Sequence, residues 1–263
     1  MSDVSSELFE QLYCDNQTKV YRLALGLTGN ADDAEEITQE AFFRAFRSFA
    51  VFRQESSFFT WIYKITLNVA RSYLKKKAKL PIHMLTENEG YVVDEIIDQN
   101  PESNPEMAVL ANEIRVRCLH CFTECLPVNQ RIVFCLAVTI GLQHKITAEI
   151  LDCSIGSVKT TLNRARKRIA GYMENKCQLI KKSNPCNCQQ WIRFALSQGW
   201  ISKQKLERPH SLINIQVKEE IVRLQTLRDI YRQVYQEKAG ESFMLRIKQG
   251  IKNGEWAVFR ENL

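Results

Sequence analysis

The sequence predicts an all-α fold made of small helical domains, and three observations support this prediction. Apolar residues recur at helical spacing along most of the 263-residue chain. Only ten glycines and six prolines occur, which is few for a turn-rich β fold. The length suits two or three small domains rather than one. We therefore predict two helical domains joined by an acidic linker, followed by a helical C-terminal extension.

Charge and cysteine content narrow the class of protein. The net charge of +6 and the pI near 8.8 are a mild basic excess, so a nucleic-acid function depends on where the charge lies. The N-terminus lacks the basic and apolar regions of a signal peptide, and no apolar run has the length of a membrane helix. We expect a cytoplasmic protein without membrane insertion. Nine cysteines, an odd number, argue against a disulfide framework.

The first predicted domain covers residues 1–78. Its second helix is predicted to follow the break at residues 28–30, with Asp32 as N-cap and Glu35 at the capping-box offset. A third helix is predicted at about residues 57–77, where aromatic and basic side chains are interleaved.

The predicted linker, residues 79–106, differs sharply in charge from its neighbours. It contains no Lys or Arg from Pro81 to Glu106, and seven acidic residues occur there. Pro101 and Pro105 interrupt regular structure. We predict an extended acidic connection between two basic helical units.

The strongest local signal lies in the second predicted helical domain, residues 107–175. It is a helix-turn-helix at Ile146–Ile169, with a turn at residues 153–156 and Ser157 as the predicted N-cap of the second helix. On one side this helix carries an apolar stripe at spacings of 4, 3 and 4 residues. The opposite side carries polar and basic residues that suit a DNA major groove: Ser157, Lys159, Thr160, Asn163, Arg164 and Lys167. The alternative is an amphipathic helix with a solvated charged face.

Two blocks of the sequence resemble one family. Residues 32–77, which begin DDAEEITQEAFFRAF, resemble region 2 of extracytoplasmic-function sigma factors, and residues 126–169, which begin LPVNQRIVF, resemble their region 4. The resemblance covers roughly residues 8–175. It implies a non-enzymatic subunit that binds core RNA polymerase, recognises the −10 and −35 elements of promoter DNA, and promotes initiation. The alternative is a helix-turn-helix regulator without sigma activity.

The resemblance also implies which residues make these contacts. Carboxylates beside apolar groups suit polymerase binding, which is expected from Asp33, Glu36, Gln39, Glu40 and Phe43. Aromatic and cationic groups suit capture of flipped −10 bases, which is expected from Arg53, Ser57, Trp61, Lys64, Asn68, Arg71 and Lys75. Trp61 fits core packing equally well. The acidic linker is expected either to enter the RNA path of the polymerase or to serve only as a spacer.

The chain departs from the family pattern around its helix-turn-helix. The residues that follow Lys145 stand in a different order, the frequent small residue before the turn is Asp152, and Thr161 replaces a common Arg. The apolar spacing is intact, so the fold prediction is unaffected. The departures concern the −35 sequence preference.

Residues 176–263 extend beyond the minimal family. The thiols of Cys177, Cys186 and Cys188 are candidate ligands for Zn²⁺ or a redox metal, with His210, Cys153 or water as the fourth ligand. Free cysteines are the rival interpretation, and no cofactor is required for the predicted function. Helices are predicted near Trp191, at about residues 213–237 and at 243–251. We expect control by this extension or by an anti-sigma factor.

Overall fold

The computed structural model describes residues 3–52, 56–74, 97–98, 101, 105–174, 176–199, 201 and 241–252. The regular structure within these ranges is helical, apart from one isolated bridge that pairs Cys177 with Cys186. This confirms the all-α prediction. The helix predicted at about residues 213–237 lies outside the described ranges.

The described residues form nine α-helices. In chain order they are α1 (Asp3–Thr28), α2 (Ala31–Ser48), α3 (Phe58–Tyr73), α4 (Pro105–Glu124), α5 (Val128–Phe134), α6 (His144–Ile150), α7 (Ile155–Met173), α8 (Ile192–Ser197) and α9 (Glu241–Lys252). A π-helical segment, Cys135–Ile140, follows α5, and a 3₁₀ turn, Cys188–Trp191, precedes α8.

These helices belong to two compact units. The first contains the described residues of 1–76, 135–161 and 235–263, and the second those of 77–134 and 162–234. Each unit therefore combines parts of several predicted segments. The predicted boundaries at 1–78, 79–106, 107–175 and 176–263 follow the chain rather than its packing, and they stay predictions.

Aromatic side chains form the centre of the three-helix part of the first unit. Phe9 is fully buried and meets Phe46 and Phe49 edge to face, with ring centroids 5.2 and 5.1 Å apart. Tyr13 of α1 meets Phe42 of α2 at 4.7 Å. Pairs of this kind contribute about 0.5–1.5 kcal/mol each beyond their burial. They fix α1 and α2 against each other.

The starts of α2 and α3 are set by side-chain caps. The side-chain oxygen of Asn30 accepts hydrogen bonds from the backbone N–H groups of Asp32 and Asp33, at 2.9 and 3.1 Å. The prediction of Asp32 as N-cap is therefore wrong, because Asn30 already supplies the oxygen that the first orphan donors need. Ser57 caps α3 by accepting from the N–H of Thr60 at 3.1 Å.

The π-helical segment Cys135–Ile140 packs directly on α1. The Cys135 thiol donates to the carbonyl oxygen of Leu23 at 3.8 Å. A Cβ atom at Gly26 would lie only 2.8 Å from the Cys135 sulfur and 3.2 Å from Cγ2 of Thr139. This close approach therefore requires a glycine on α1.

The C-terminal extension contributes to both units. In the first unit α9 packs on α1, where the Tyr13 hydroxyl donates to the carbonyl oxygen of Met244 at 3.2 Å. Lys248 lies 3.3 Å from the Glu10 carboxylate, and Ile247 is buried. This confirms the helix predicted at residues 243–251.

In the second unit the extension shares a hydrophobic core with α4. The buried side chains of Trp191, Ile192 and Phe194 belong to the same cluster as Leu110 and Ile114 of α4. The extension is therefore not an independent appendage, because its largest buried side chain has its apolar partners on the helix that opens the predicted region 4.

One residue of the predicted linker is attached to this part of the extension. The backbone N–H of Asp98 donates to the carbonyl oxygen of Gln190 at 2.8 Å, and its carboxylate lies 3.1 Å from the Arg193 guanidinium. Ile97 packs on the same hydrophobic cluster. At Asp98 the acidic linker is therefore attached to the C-terminal extension.

The Gly26 contact predicts opposite effects for two glycine-to-alanine changes. Gly26→Ala should lower the free energy of unfolding by about 1–3 kcal/mol, because the added methyl group overpacks against Cys135. Gly171→Ala should raise it by about 0.5–1 kcal/mol, because nothing lies within 4 Å of that site and alanine favours the helix. Urea unfolding followed by circular dichroism measures both. An unfolding midpoint of Gly26→Ala at or above that of the wild type would contradict the packing.

Candidate nucleic-acid interface

Helices α6 and α7 form the helix-turn-helix that the sequence predicts. The N–H of Cys153 donates to the carbonyl oxygen of Ala148 at 3.0 Å, and Asp152 turns the chain with a φ of 51°. The Ser154 hydroxyl accepts from the N–H of Ser157 at 3.1 Å. Ser154 is thus the cap of α7, and the prediction that Ser157 has this role is wrong, because the helix begins at Ile155.

The two faces of α7 differ as the sequence predicts. Its apolar stripe is buried, with exposures of 0–2% for Val158, Leu162, Ala165 and Ile169. The six residues predicted to contact −35 DNA are all exposed: Ser157, Lys159, Thr160, Asn163, Arg164 and Lys167. The burial pattern confirms an amphipathic helix with an exposed polar face. The contacts of these six residues with DNA stay a prediction.

Three of the predicted −10 residues lie on one face of α3. Lys64 is half-buried, and Asn68 and Arg71 are exposed, at helical spacings of four and three residues. The Arg71 guanidinium donates to the side-chain oxygen of Asn68 at 2.6 Å, which orients it along this face. Ser57 is exposed at the start of the same helix. Arg53 and Lys75 lie outside the described residues.

Trp61 belongs to an aromatic cluster at the start of α3. Its ring stacks on Phe52 with centroids 4.6 Å apart, and Phe58 lies 5.6 Å away. The side chain is half-buried. The structure therefore gives Trp61 a packing role, and its predicted stacking on a promoter base stays a prediction.

An ion pair within the first unit joins this face to Asp152, which follows α6. The Lys64 ammonium lies 2.6 Å from the Asp152 carboxylate, and α6 packs on α3. Sequence reasoning did not find this pair. The only signal for it was that Asp152 stands where the family commonly has a small residue.

The residues predicted to bind polymerase lie on α2 with graded exposure. Glu36 and Gln39 are exposed, whereas Asp33, Glu40 and Phe43 are half-buried. Within the protein, the Glu40 carboxylate pairs with Arg44 at 2.6 Å, and Glu36 accepts from the Tyr73 hydroxyl at 3.0 Å. Partial burial raises the pKa of Tyr73, and the bonded Glu36 carboxylate adds to the rise.

The three cysteines of the extension lie close together in the second unit. The N–H of Gln178 donates to the carbonyl oxygen of Cys186 at 3.1 Å, which pairs the backbones of Cys177 and Cys186. Burial raises the pKa of Cys177 to about 12 and that of Cys186 to about 11, and the neighbouring Cys188 adds to both shifts. The protonated thiol is therefore the favoured form of both residues.

The metal site at these cysteines stays a prediction, and the arrangement of the described side chains gives it no support. In the parts of the chain that the structure describes, no three His, Cys, Asp or Glu side chains are grouped so that they could hold an ion. Burial raises the pKa of Cys188, and the Arg115 guanidinium beside its sulfur opposes the rise. The proposed fourth ligand His210 lies outside the described residues, and Cys153 is exposed in the first unit.

None of the described helices combines the length and apolarity that crossing a membrane requires.

Two family models match the chain in the predicted order. Sigma-70 region 2 matches residues 12–80, and Sigma-70 region 4 matches residues 116–169. The region 2 match covers most of α1 and all of α2 and α3. A helix-turn-helix regulator without sigma activity would not need these helices. That alternative therefore has no support.

Named relatives give the same assignment. The chain is 30% identical to the RNA polymerase sigma-H factor of Pseudomonas aeruginosa over 163 residues, which is 61% of this chain and 83% of the relative. It is 34% identical to the ECF RNA polymerase sigma-E factor of Escherichia coli K12 over 159 residues, which is 57% of this chain and 77% of the relative.

Among solved structures, the chain is similar to the sigma factor RpoE in complex with the anti-sigma factor NepR from Bartonella quintana. The TM-score is 0.44 at 21% identity, over 63% of this chain and 96% of that chain. The relatives and both family models together confirm the resemblance seen in the sequence. This chain therefore belongs to the extracytoplasmic-function type of RNA polymerase sigma factors, non-enzymatic subunits that bind core polymerase and promoter DNA to initiate transcription.

Proposed function

We propose that this sigma factor recognises promoters with two helix faces, α3 for the −10 element and α7 for the −35 element. The observation that carries the proposal is the burial pattern of α7, whose apolar stripe is buried while all six predicted contacts are exposed. Arg164 and Asn163 have the side chains that read guanine and adenine edges, and the lysines neutralise phosphates.

The −10 face of α3 has the chemistry for single-stranded DNA. Lys64 and Arg71 supply positive charge for the backbone, and Asn68 offers a hydrogen-bonding group between them. The aromatic cluster of Phe52 and Trp61 adjoins the start of the same helix. Stacking contributes about 1–3 kcal/mol per base, which offsets the few kcal/mol that unstacking a base costs.

Polymerase binding is assigned to the acidic face of α2. Glu36 and Gln39 are its exposed members, and carboxylates near apolar groups favour docking on a basic partner surface. Because core RNA polymerase works in the cytoplasm, we place this protein there. Control by a separate anti-sigma factor stays a prediction, as does a role of the acidic linker in the RNA path.

Two arginine variants should separate the DNA-binding faces. Arg164→Ala should weaken binding of the polymerase holoenzyme to −35 duplex DNA by about 1–3 kcal/mol, because a base or phosphate contact is lost. Arg71→Ala should leave that binding unchanged and instead reduce the formation of open complexes. In vitro transcription and gel shifts on a promoter selected from a genomic pool measure both effects. Lys181→Ala, an exposed charge in the loop after α7, is the control. Equal effects of all three variants would contradict the assignment.

Reversing one charge on α2 should weaken polymerase binding. Glu36→Lys should lower the affinity for core RNA polymerase by about 1–2 kcal/mol, with a weaker salt dependence, because a complementary charge becomes repulsive. Glu7→Lys makes the same charge change at an exposed site on α1 and should bind as the wild type does. Fluorescence titration with core enzyme gives both affinities. If the two variants bind alike, the interface lies elsewhere.

Metal analysis tests the cysteine prediction. Since the described thiols do not form a metal-holding group, we expect the wild type and the Cys186→Ser/Cys188→Ser variant to contain equal amounts of zinc after purification. The control variant Cys153→Ser should match them. Zinc that is stoichiometric in the wild type and absent from the double variant would instead establish the site.

A further inference from the structure

We propose that Asp152 of the helix-turn-helix occupies the place of a DNA phosphate on α3, so that the free protein competes internally with −10 DNA. This inference rests on the proposed role of Lys64 in the −10 face. It assigns a function to the acidic residue that departs from the family pattern.

The contact itself has the form of a phosphate contact. The Lys64 ammonium donates to the Asp152 carboxylate at 2.6 Å, which is the short distance of a charge-assisted hydrogen bond. A carboxylate oxygen and a phosphate oxygen offer a lysine the same negatively charged acceptor. While Asp152 holds this position, the Lys64 ammonium is withdrawn from a DNA backbone.

The backbone at Asp152 does not by itself call for an acid. Its φ of 51° lies in the left-handed region, where glycine has the lowest cost and asparagine is tolerated as well as aspartate. The turn would thus form readily with an uncharged residue. The charge has a partner on α3, and the ion pair gives this position a physical reason to carry an aspartate.

Packing of the two elements that precede the turn places Asp152 beside Lys64. The π-helical segment before α6 lies on α1, with Cys135 through Thr139 buried and Gly26 admitting the close approach. Helix α6 then packs on α3. These elements all belong to the first compact unit. The packing of α6 on α3 therefore holds the backbone of Asp152 close to Lys64.

Tight binding of −10 DNA at Lys64 and this contact oppose each other. A DNA phosphate that approaches Lys64 meets the Asp152 carboxylate, which lies 2.6 Å from the ammonium nitrogen, and the two negative charges repel each other. The Lys64–Asp152 contact must therefore break before a phosphate takes its place.

Single-stranded DNA binding by the full chain, without polymerase, tests the proposal. The probe is a labelled DNA of random sequence and about 12 nucleotides. Asp152→Asn should bind about two- to fivefold more tightly than the wild type at low salt, because a partly exposed ion pair is lost. The gain should shrink as salt rises. Asp152→Gly should show the same gain with an unchanged fold, since glycine accepts the positive φ.

The matched control is Glu149→Gln, which removes one exposed negative charge from α6. It should change binding by less than either Asp152 variant. Binding by Asp152→Asn and Asp152→Gly that is no tighter than that of Glu149→Gln would overturn the proposal.

Lys64→Ala separates this outcome from a failure of the proposed function. The single variant should bind the probe more weakly, and Lys64→Ala/Asp152→Asn should lose the gain of Asp152→Asn. Unchanged binding by Lys64→Ala would remove Lys64 from the −10 face, and the competition would fall with it. A weaker Lys64→Ala combined with no gain at Asp152 would leave the −10 face intact and reject only the competition.

Discussion

The close packing of residues Cys135–Ile140 on α1 at Gly26 determines the arrangement of the first compact unit. Because a side chain at Gly26 would collide with the Cys135 sulfur, the absence of a Cβ there lets the π-helical segment lie against the helix backbone. That segment precedes α6, which in turn packs on α3. One glycine thus places the start of the helix-turn-helix beside the residues proposed to bind the −10 element.

The C-terminal extension packs on α1 and shares a hydrophobic core with α4. Trp191 lies in one hydrophobic cluster with residues of α4, and Asp98 of the linker is held by Gln190 and Arg193. Any change in the 3₁₀ turn or α8 therefore acts on the helix that opens region 4 and on the linker attachment together. The partly buried thiols of Cys186 and Cys188 pack against this cluster, where they act as small apolar groups.

The sequence predicted which face of a helix is buried better than it predicted which side chains contact each other. The stripe from Val158 to Ile169 was predictable because the spacing of apolar residues sets which side of a helix is buried. The caps were misassigned because Ser154 and Ser157, like Asn30 and Asp32, are equally able to cap, and only the backbone chooses between them. The Lys64–Asp152 pair joins residues 88 positions apart, and periodicity carries no information on such contacts. Cysteine spacing likewise indicated that thiols lie close together, but not how their sulfur atoms are arranged.

In the first unit, packing contributes more than charge to the placement of α6 beside α3. With exposed fractions of 33% for Lys64 and 76% for Asp152, their ion pair contributes at most about 1 kcal/mol, whereas the buried segment on α1 removes several apolar side chains from water. Packing therefore fixes the position of α6, and the ion pair determines which group contacts the Lys64 ammonium.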